Sequence, residues 1–111
     1  MDEKRLTLRR KWRSKIVFED EFGQELIYLY SKDISEGGVF LEDVPPLKMG
    51  ALAFLSFVIP GKKRPLKATG QVVRFVEYGP KGRGKAKRGA GIRFIDMDSA
   101  SFKQLTDFIQ K

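Results

Sequence analysis

Apolar residues fall in short runs along most of this chain, each closed by glycine, proline or a cluster of charges. Residues 16–18 form the first run, ended by Glu19-Asp20-Glu21 and Gly23. Residues 26–30 follow, rich in β-branched and aromatic types, and predict the second arm of a hairpin across the acidic turn. A third run, 39–41, stops before Pro45-Pro46. The fourth, 52–59, lies between Gly50 and Pro60-Gly61 and reads as a buried strand. In 68–77, Thr69, Gln71, Val73 and Phe75 alternate with Ala68, Gly70, Val72, Arg74 and Val76. Gly70 inside that run predicts a bulge or a sharp bend. Residues 90–95 supply the last strand. Six short strands at this spacing predict an all-β antiparallel barrel or sandwich.

The period then changes. Phe102, Leu105, Phe108 and Ile109 recur at helical spacing and give one apolar stripe, with Ser99 or Ser101 as cap and Gln104 placed for a capping box. A C-terminal helix packed on the sheet or plugging a barrel end is expected.

Composition narrows the chemistry. A chain of 111 residues with 41% hydrophobic content and nine Phe is large enough for one packed domain. It contains no cysteine and no histidine, the commonest transition-metal ligands and, in His, the commonest general base. No metal site and no enzymatic activity are expected. Gly82-x-Gly84 and Gly89 lack the Gly-Lys-Ser/Thr ending of a phosphate-cradling loop. The longest apolar stretch is too short to span a bilayer, and no signal-type run opens the sequence, so a cytoplasmic protein without membrane insertion is expected.

A net charge of +8 changes the picture further. Lys4, Arg5, Arg9, Arg10, Lys11, Arg13 and Lys15 crowd the first fifteen residues with no acid after Glu3. Lys62, Lys63, Arg64 and Lys67 form a second cluster. Lys81, Arg83, Lys85, Lys87 and Arg88 form a third, in a glycine-rich loop expected over 79–89. Such an excess points to an anionic partner.

Two motifs say which anion. Arg9 and Arg13, with Arg10 between them, carry planar forks suited to bidentate phosphate contacts and to stacking on flat rings. Asp33-x-Ser35-x-x-Gly38 follows, with a carboxylate, a small hydroxyl and the glycines Gly37 and Gly38. Alone, the second motif reads as an ordinary turn, Asp33 closing an Asx-turn and Gly37 or Gly38 taking positive φ. Together the two provide a stacking platform, phosphate donors and a base-edge acceptor.

In order and spacing the motifs resemble the PilZ domain, a receptor for the bacterial second messenger cyclic di-GMP. Gly89-Ala-Gly-Ile-Arg-Phe is similar to that family's late strand. The resemblance implies a six-stranded antiparallel barrel with a C-terminal helix over 16–111, preceded by a flexible basic arm over 1–15. It implies that Arg9 and Arg13, assisted by Arg10, grip phosphates and stack on guanine. Asp33 would accept from the guanine edge or orient an arginine, Ser35 would bond a phosphate or base, and Gly38 would keep the surface clear, with Gly37 beside it in the ligand site. The arm would order over the ligand and relay the signal to a protein partner. Trp12, inside the arm, would anchor the first strand. Two alternatives remain open on residues alone: a basic barrel for single-stranded nucleic acid, and a ligand-free interaction adaptor of the same fold.

Overall fold

The computed structural model describes residues 8–78 and 87–110. Seven strands run in the order β1 (Arg9–Lys11), β2 (Lys15–Asp20), β3 (Leu26–Ser35), β4 (Gly38–Glu42), β5 (Leu52–Phe57), β6 (Leu66–Tyr78) and β7 (Lys87–Asp96). The helix α1 (Ser99–Gln110) follows. All pairings are antiparallel, in the sheet order β1-β3-β2-β5-β6-β7-β4. A further β3–β4 pairing closes β2 to β7 into a six-stranded barrel. Closure removes the open sheet edges that would otherwise seek a partner.

Alternation places the core as the sequence predicts. Ile16, Phe18, Leu29, Ile34, Leu41, Leu55, Phe57, Leu66, Val72 and Ile92 point inward and are almost fully buried, and Leu105, Phe108 and Ile109 of α1 join them. Each such side chain contributes roughly 1.5–3 kcal/mol by leaving water. Trp12 ties the arm to this core, its ring centroid lying 5.6 Å from that of Phe57 and 5.4 Å from that of Phe108.

The structure adds a seventh strand to the six expected. β1 lies along the same edge of β3 as β2 does, with Arg9 opposite Ser35 and Lys11 opposite Asp33, while Lys15 faces Tyr30. Four steps of chain from Lys11 to Lys15 therefore span three on β3, and Arg13 bulges out between Trp12 and Ser14, which stay bonded to Lys32 and Ser31. The sequence concealed β1 because its residues, Arg-Arg-Lys, carry no apolar alternation. Residues 1–7 lie outside the described residues.

Other boundaries also move. Asp33 and Ser35 belong to β3, not to a turn; only Glu36 and Gly37 separate β3 from β4. Neither Gly37 nor Gly38 has positive φ, which among the described glycines occurs at Gly23, Gly50 and Gly61. Lys87, Arg88 and Gly89 open β7 opposite Tyr78, Glu77 and Val76, so the loop expected over 79–89 is shorter, and its remaining residues 79–86 lie outside the described residues. The bend expected at Gly70 coincides with a register shift between β6 and β7 at Thr69/Gly70.

The helix is capped by Asp98, whose Oδ1 accepts from the Ser101 amide at 2.7 Å. A carboxylate at this position satisfies an orphan N–H and also suits the positive end of the helix dipole, which is why it replaces the serine expected there. Phe102 drops out of the buried stripe and is 45% exposed, with Ser101 turned inward in its place. No helix is long and apolar enough to cross a membrane among the described residues.

Candidate functional site

Cross-strand neighbours share a face, so register alone assembles the outer surface near the two motifs. One row runs Lys11, Asp33, Phe40, Gly91, Arg74 across β1, β3, β4, β7 and β6. In the next, Arg9 lies opposite Ser35, and Gly38 lies opposite Arg93, which faces Gln71. Gly91 in the first row and Gly38 in the second leave bare backbone between bulkier neighbours. Side chains rise on either flank, and a cavity of about 410 Å³ lies between them, lined by Arg9, Ser35, Gly37, Gly38, Gly91 and Arg93 among others.

Close approach to backbone requires Gly38, and the missing side chain at Gly91 makes room for Arg74. A Cβ on Gly38 would run into the Ile92 carbonyl, and one on Gly91 would meet the Arg74 side chain. With Gly91 bare, Arg74 lies across it and its guanidinium carbon stands 5.8 Å from the Phe40 ring centroid. Phe40 is thereby covered from outside and not from the core.

Ser35 is the polar centre of this corner and is 1% exposed. Its Oγ accepts from the Gly37 amide at 3.2 Å and from Arg9 Nη1 at 3.3 Å, and donates to the Gly38 carbonyl at 3.4 Å. These bonds fold the Glu36-Gly37 link tightly onto the barrel, where the Gly37 carbonyl accepts from the Phe94 amide. Arg9 Nε donates to Asp33 Oδ1 at 2.8 Å, and Nη2 stands at the same distance from the same oxygen. Both contacts fall on Oδ1. The Arg9 side chain is 42% exposed, so this ion pair is worth about 1 kcal/mol or less and exchanges readily for a stronger anion.

Arg13 occupies a neighbouring position. Its guanidinium carbon stacks 4.2 Å from the Tyr30 ring centroid and its Nε stands 3.5 Å from Glu42 Oε1. Both contacts are at the surface. Ser31, fully buried on β3, sets where the arm sits: its Oγ accepts from the Ser14 amide at 3.0 Å and donates to the Trp12 carbonyl. The bulge is thus pinned on both sides of Arg13.

Of the residues expected from sequence, Arg9, Asp33, Ser35, Gly37 and Gly38 come together, and Arg13 lies on the adjoining strand edge. Arg10 does not join them. It alternates to the opposite side of β1, donates from Nη1 to the Phe108 carbonyl near the end of α1, and stacks 4.3 Å from the Phe108 centroid. Sequence reasoning missed Arg74 and Arg93 as partners of this surface. Arg93 donates to Gln71 Oε1 at 3.3 Å and stands beside Gly38. The available signal was an arginine two residues after Gly91 on a strand already compared with the family's late strand. A larger concavity, about 550 Å³, lies elsewhere, on β2, β5 and β6, but its lining brings Glu19, Asp96 and Asp98 against a single Lys67 and suits no polyanion.

The chain belongs to the PilZ domain family, whose model matches residues 3–111. No curated protein matches it. Among solved structures, the inhibitor of motility MotI/DgrA of Bacillus subtilis is similar, with a TM-score of 0.79 and 18% identity over 98% of this chain. The chain spans 50% of that protein's length. The PilZ domain of YcgR from Escherichia coli, solved with c-di-GMP, gives a TM-score of 0.72 and 16% identity, covering 94% of this chain and 87% of the other. The K. pneumonia MrkH–c-di-GMP complex gives 0.71 and 16%, covering 94% of this chain and 50% of MrkH. At these identities the likeness concerns the fold.

Proposed function

We propose that this chain is a cyclic di-GMP receptor whose ligand lies on the glycine floor between Arg9 and Arg93. The observation that carries this reading is the joining of Arg9 to Asp33 and Ser35 at the rim of a cavity floored by Gly38 and Gly91. The family, and the c-di-GMP bound by the YcgR domain and by MrkH, support it.

The chemistry follows from the side chains. The cavity lining holds Arg9, Arg74 and Arg93 and no acid, with Asp33 touching it through Arg9. Three guanidinium groups set against one carboxylate leave a positive excess suited to two phosphodiesters. Forks also accept phosphate oxygens in pairs and stack on guanine faces, which an ammonium cannot do. With Arg74 drawn back from Gly91, the glycine floor admits a planar ring. Asp33, once Arg9 turns to phosphate, presents a carboxylate to the N1–H and N2–H edge of guanine. Arg13 reaches the ligand by leaving Tyr30 and Glu42, two surface contacts that cost little to break. The arm then tightens over the nucleotide, and its altered position is what a protein partner reads. No catalytic step is part of this function.

Isothermal titration with cyclic di-GMP tests the proposal, with cyclic di-AMP and the linear GMP dinucleotide as controls. Saturable binding of cyclic di-GMP, weakened at least about tenfold by Arg9→Lys and by Arg93→Lys, is expected, since each keeps its charge and loses its fork. Equal weakening of all three ligands by salt, with the lysine variants unaffected, would indicate a diffuse polyanion surface such as a single-strand binder uses.

A further inference from the structure

On the far side of β3 from the glycine floor, the outer face of β2, β3 and β5 is unusually apolar. Leu26 is 55% exposed, Tyr28 60%, Tyr30 40% and Phe54 46%. Register places them in rows: Tyr30 beside Lys15; Tyr28 beside Val17 and Ser56; Leu26 beside Glu19 and Phe54. Contiguous apolar surface of this kind marks an interaction site in a soluble domain.

The charges on this face are ordered along the strands. At one end Lys15 stands 5.1 Å from the Tyr28 ring centroid and Arg13 stacks on Tyr30. At the other, Glu19 lies beside Leu26, and Asp20, Glu21 and Glu25 follow in the hairpin connection. Val17 is midway between Lys15 and Glu19 on β2. A surface that runs from basic through apolar to acidic is its own complement when reversed. An acidic or a basic partner of another kind would match only one end.

We propose that the chain pairs with a second copy of itself through this face, about a two-fold axis that lies along the rows and passes over Val17. The two β2 strands then run antiparallel across the interface. Lys15 of each copy meets Glu19 of the other, Tyr30 covers Leu26, and the Tyr28 and Val17 side chains of the two copies pack at the centre. Such an interface is isologous and closes at two subunits. Two sheets packed face to face in this way follow the aligned arrangement of β-sandwiches. Three short strands make a patch at the low end of specific interfaces, so the dimer is weak and concentration-dependent. Lys67, on β6 opposite Ser56, sits at the rim where its ammonium stays in water.

Sedimentation velocity over a range of protein concentrations, in low salt, tests the pairing. A reversible monomer–dimer equilibrium is expected, weakened about tenfold or more by Lys15→Glu and by Glu19→Lys, because each turns two attractions into two repulsions. The double variant K15E/E19K restores the attraction with the signs exchanged, and its dimer constant returns to within about threefold of the parent. Tyr28→Ser, at an exposed position, weakens the dimer while thermal melting stays unchanged. A monomer at every concentration, or a double variant no stronger than the single ones, overturns the proposal.

Discussion

Ser31→Ala removes one oxygen from the fully buried position that holds the arm on the barrel. Two groups lose a partner: the Ser14 amide, which donates to Ser31 Oγ at 3.0 Å, and the Trp12 carbonyl, which accepts from it. The backbone bonds from Trp12 to Lys32 and from Ser31 to Ser14 remain, so β1 is loosened and not lost. Each deserted buried group costs about 1–3 kcal/mol, reduced where water reaches it. Both contacts are part-buried, which sets the expected total at about 2 kcal/mol. With a urea m-value of about 1.5 kcal/mol/M for a domain of this size, the unfolding midpoint should fall by about 1.3 M. Amide exchange at Ser14 and across residues 9–14 should quicken, while β5 and β6 change only with global stability. A midpoint shift below about 0.3 M, with Ser14 exchange unaltered, would refute the claim that Ser31 anchors the bulge.

Three other outcomes follow from the same geometry. Gly38→Ala should cost about 1–3 kcal/mol in a thermal melt and abolish cyclic di-GMP binding in calorimetry, because its Cβ enters the space of the Ile92 carbonyl and forces β4 and β7 apart beneath the ligand. Arg10→Ala should lower stability by about 1 kcal/mol through the lost bond to Phe108 and the lost ring stacking, yet leave the nucleotide Kd within about threefold. Equal losses in stability and affinity would place Arg10 back in the site. Glu42→Gln frees Arg13 from its ion pair and should strengthen cyclic di-GMP binding by about two- to fivefold with the melting temperature unchanged.

The barrel was legible because closed β architecture imposes a strict inside and outside. Ile16 and Phe18, Leu29, Leu55 and Phe57 alternate with polar or exposed neighbours, and turn residues mark the corners. The site was legible in part. Asp33, Ser35 and Gly38 lie within a few residues of one another, and Arg9 finds them because β1 docks on β3. Arg10 was grouped with them because a run of basic residues carries no sign of which side chain faces which way; only pairing with β3 turns it to the helix. Arg74 was hidden for a different reason. Val73 is an extra residue in β6, where the register against β7 slips between Val72 and Arg74, and that slip reverses the face of everything after it. No local pattern records such a slip. The cap at Asp98 was passed over because two serines nearby were equally suitable by type.

The most direct test of the central claim is heteronuclear NMR of the chain titrated with cyclic di-GMP, following backbone amides and arginine Nε–H groups together. Ser35, Gly37, Gly38 and Gly91 amides should shift along one saturation curve with the Nε–H signals of Arg9, Arg13 and Arg93, while Arg10 stays put. Shifts confined to the face of β2 and β5, or arginine signals that ignore a ligand moving the glycines, would contradict it.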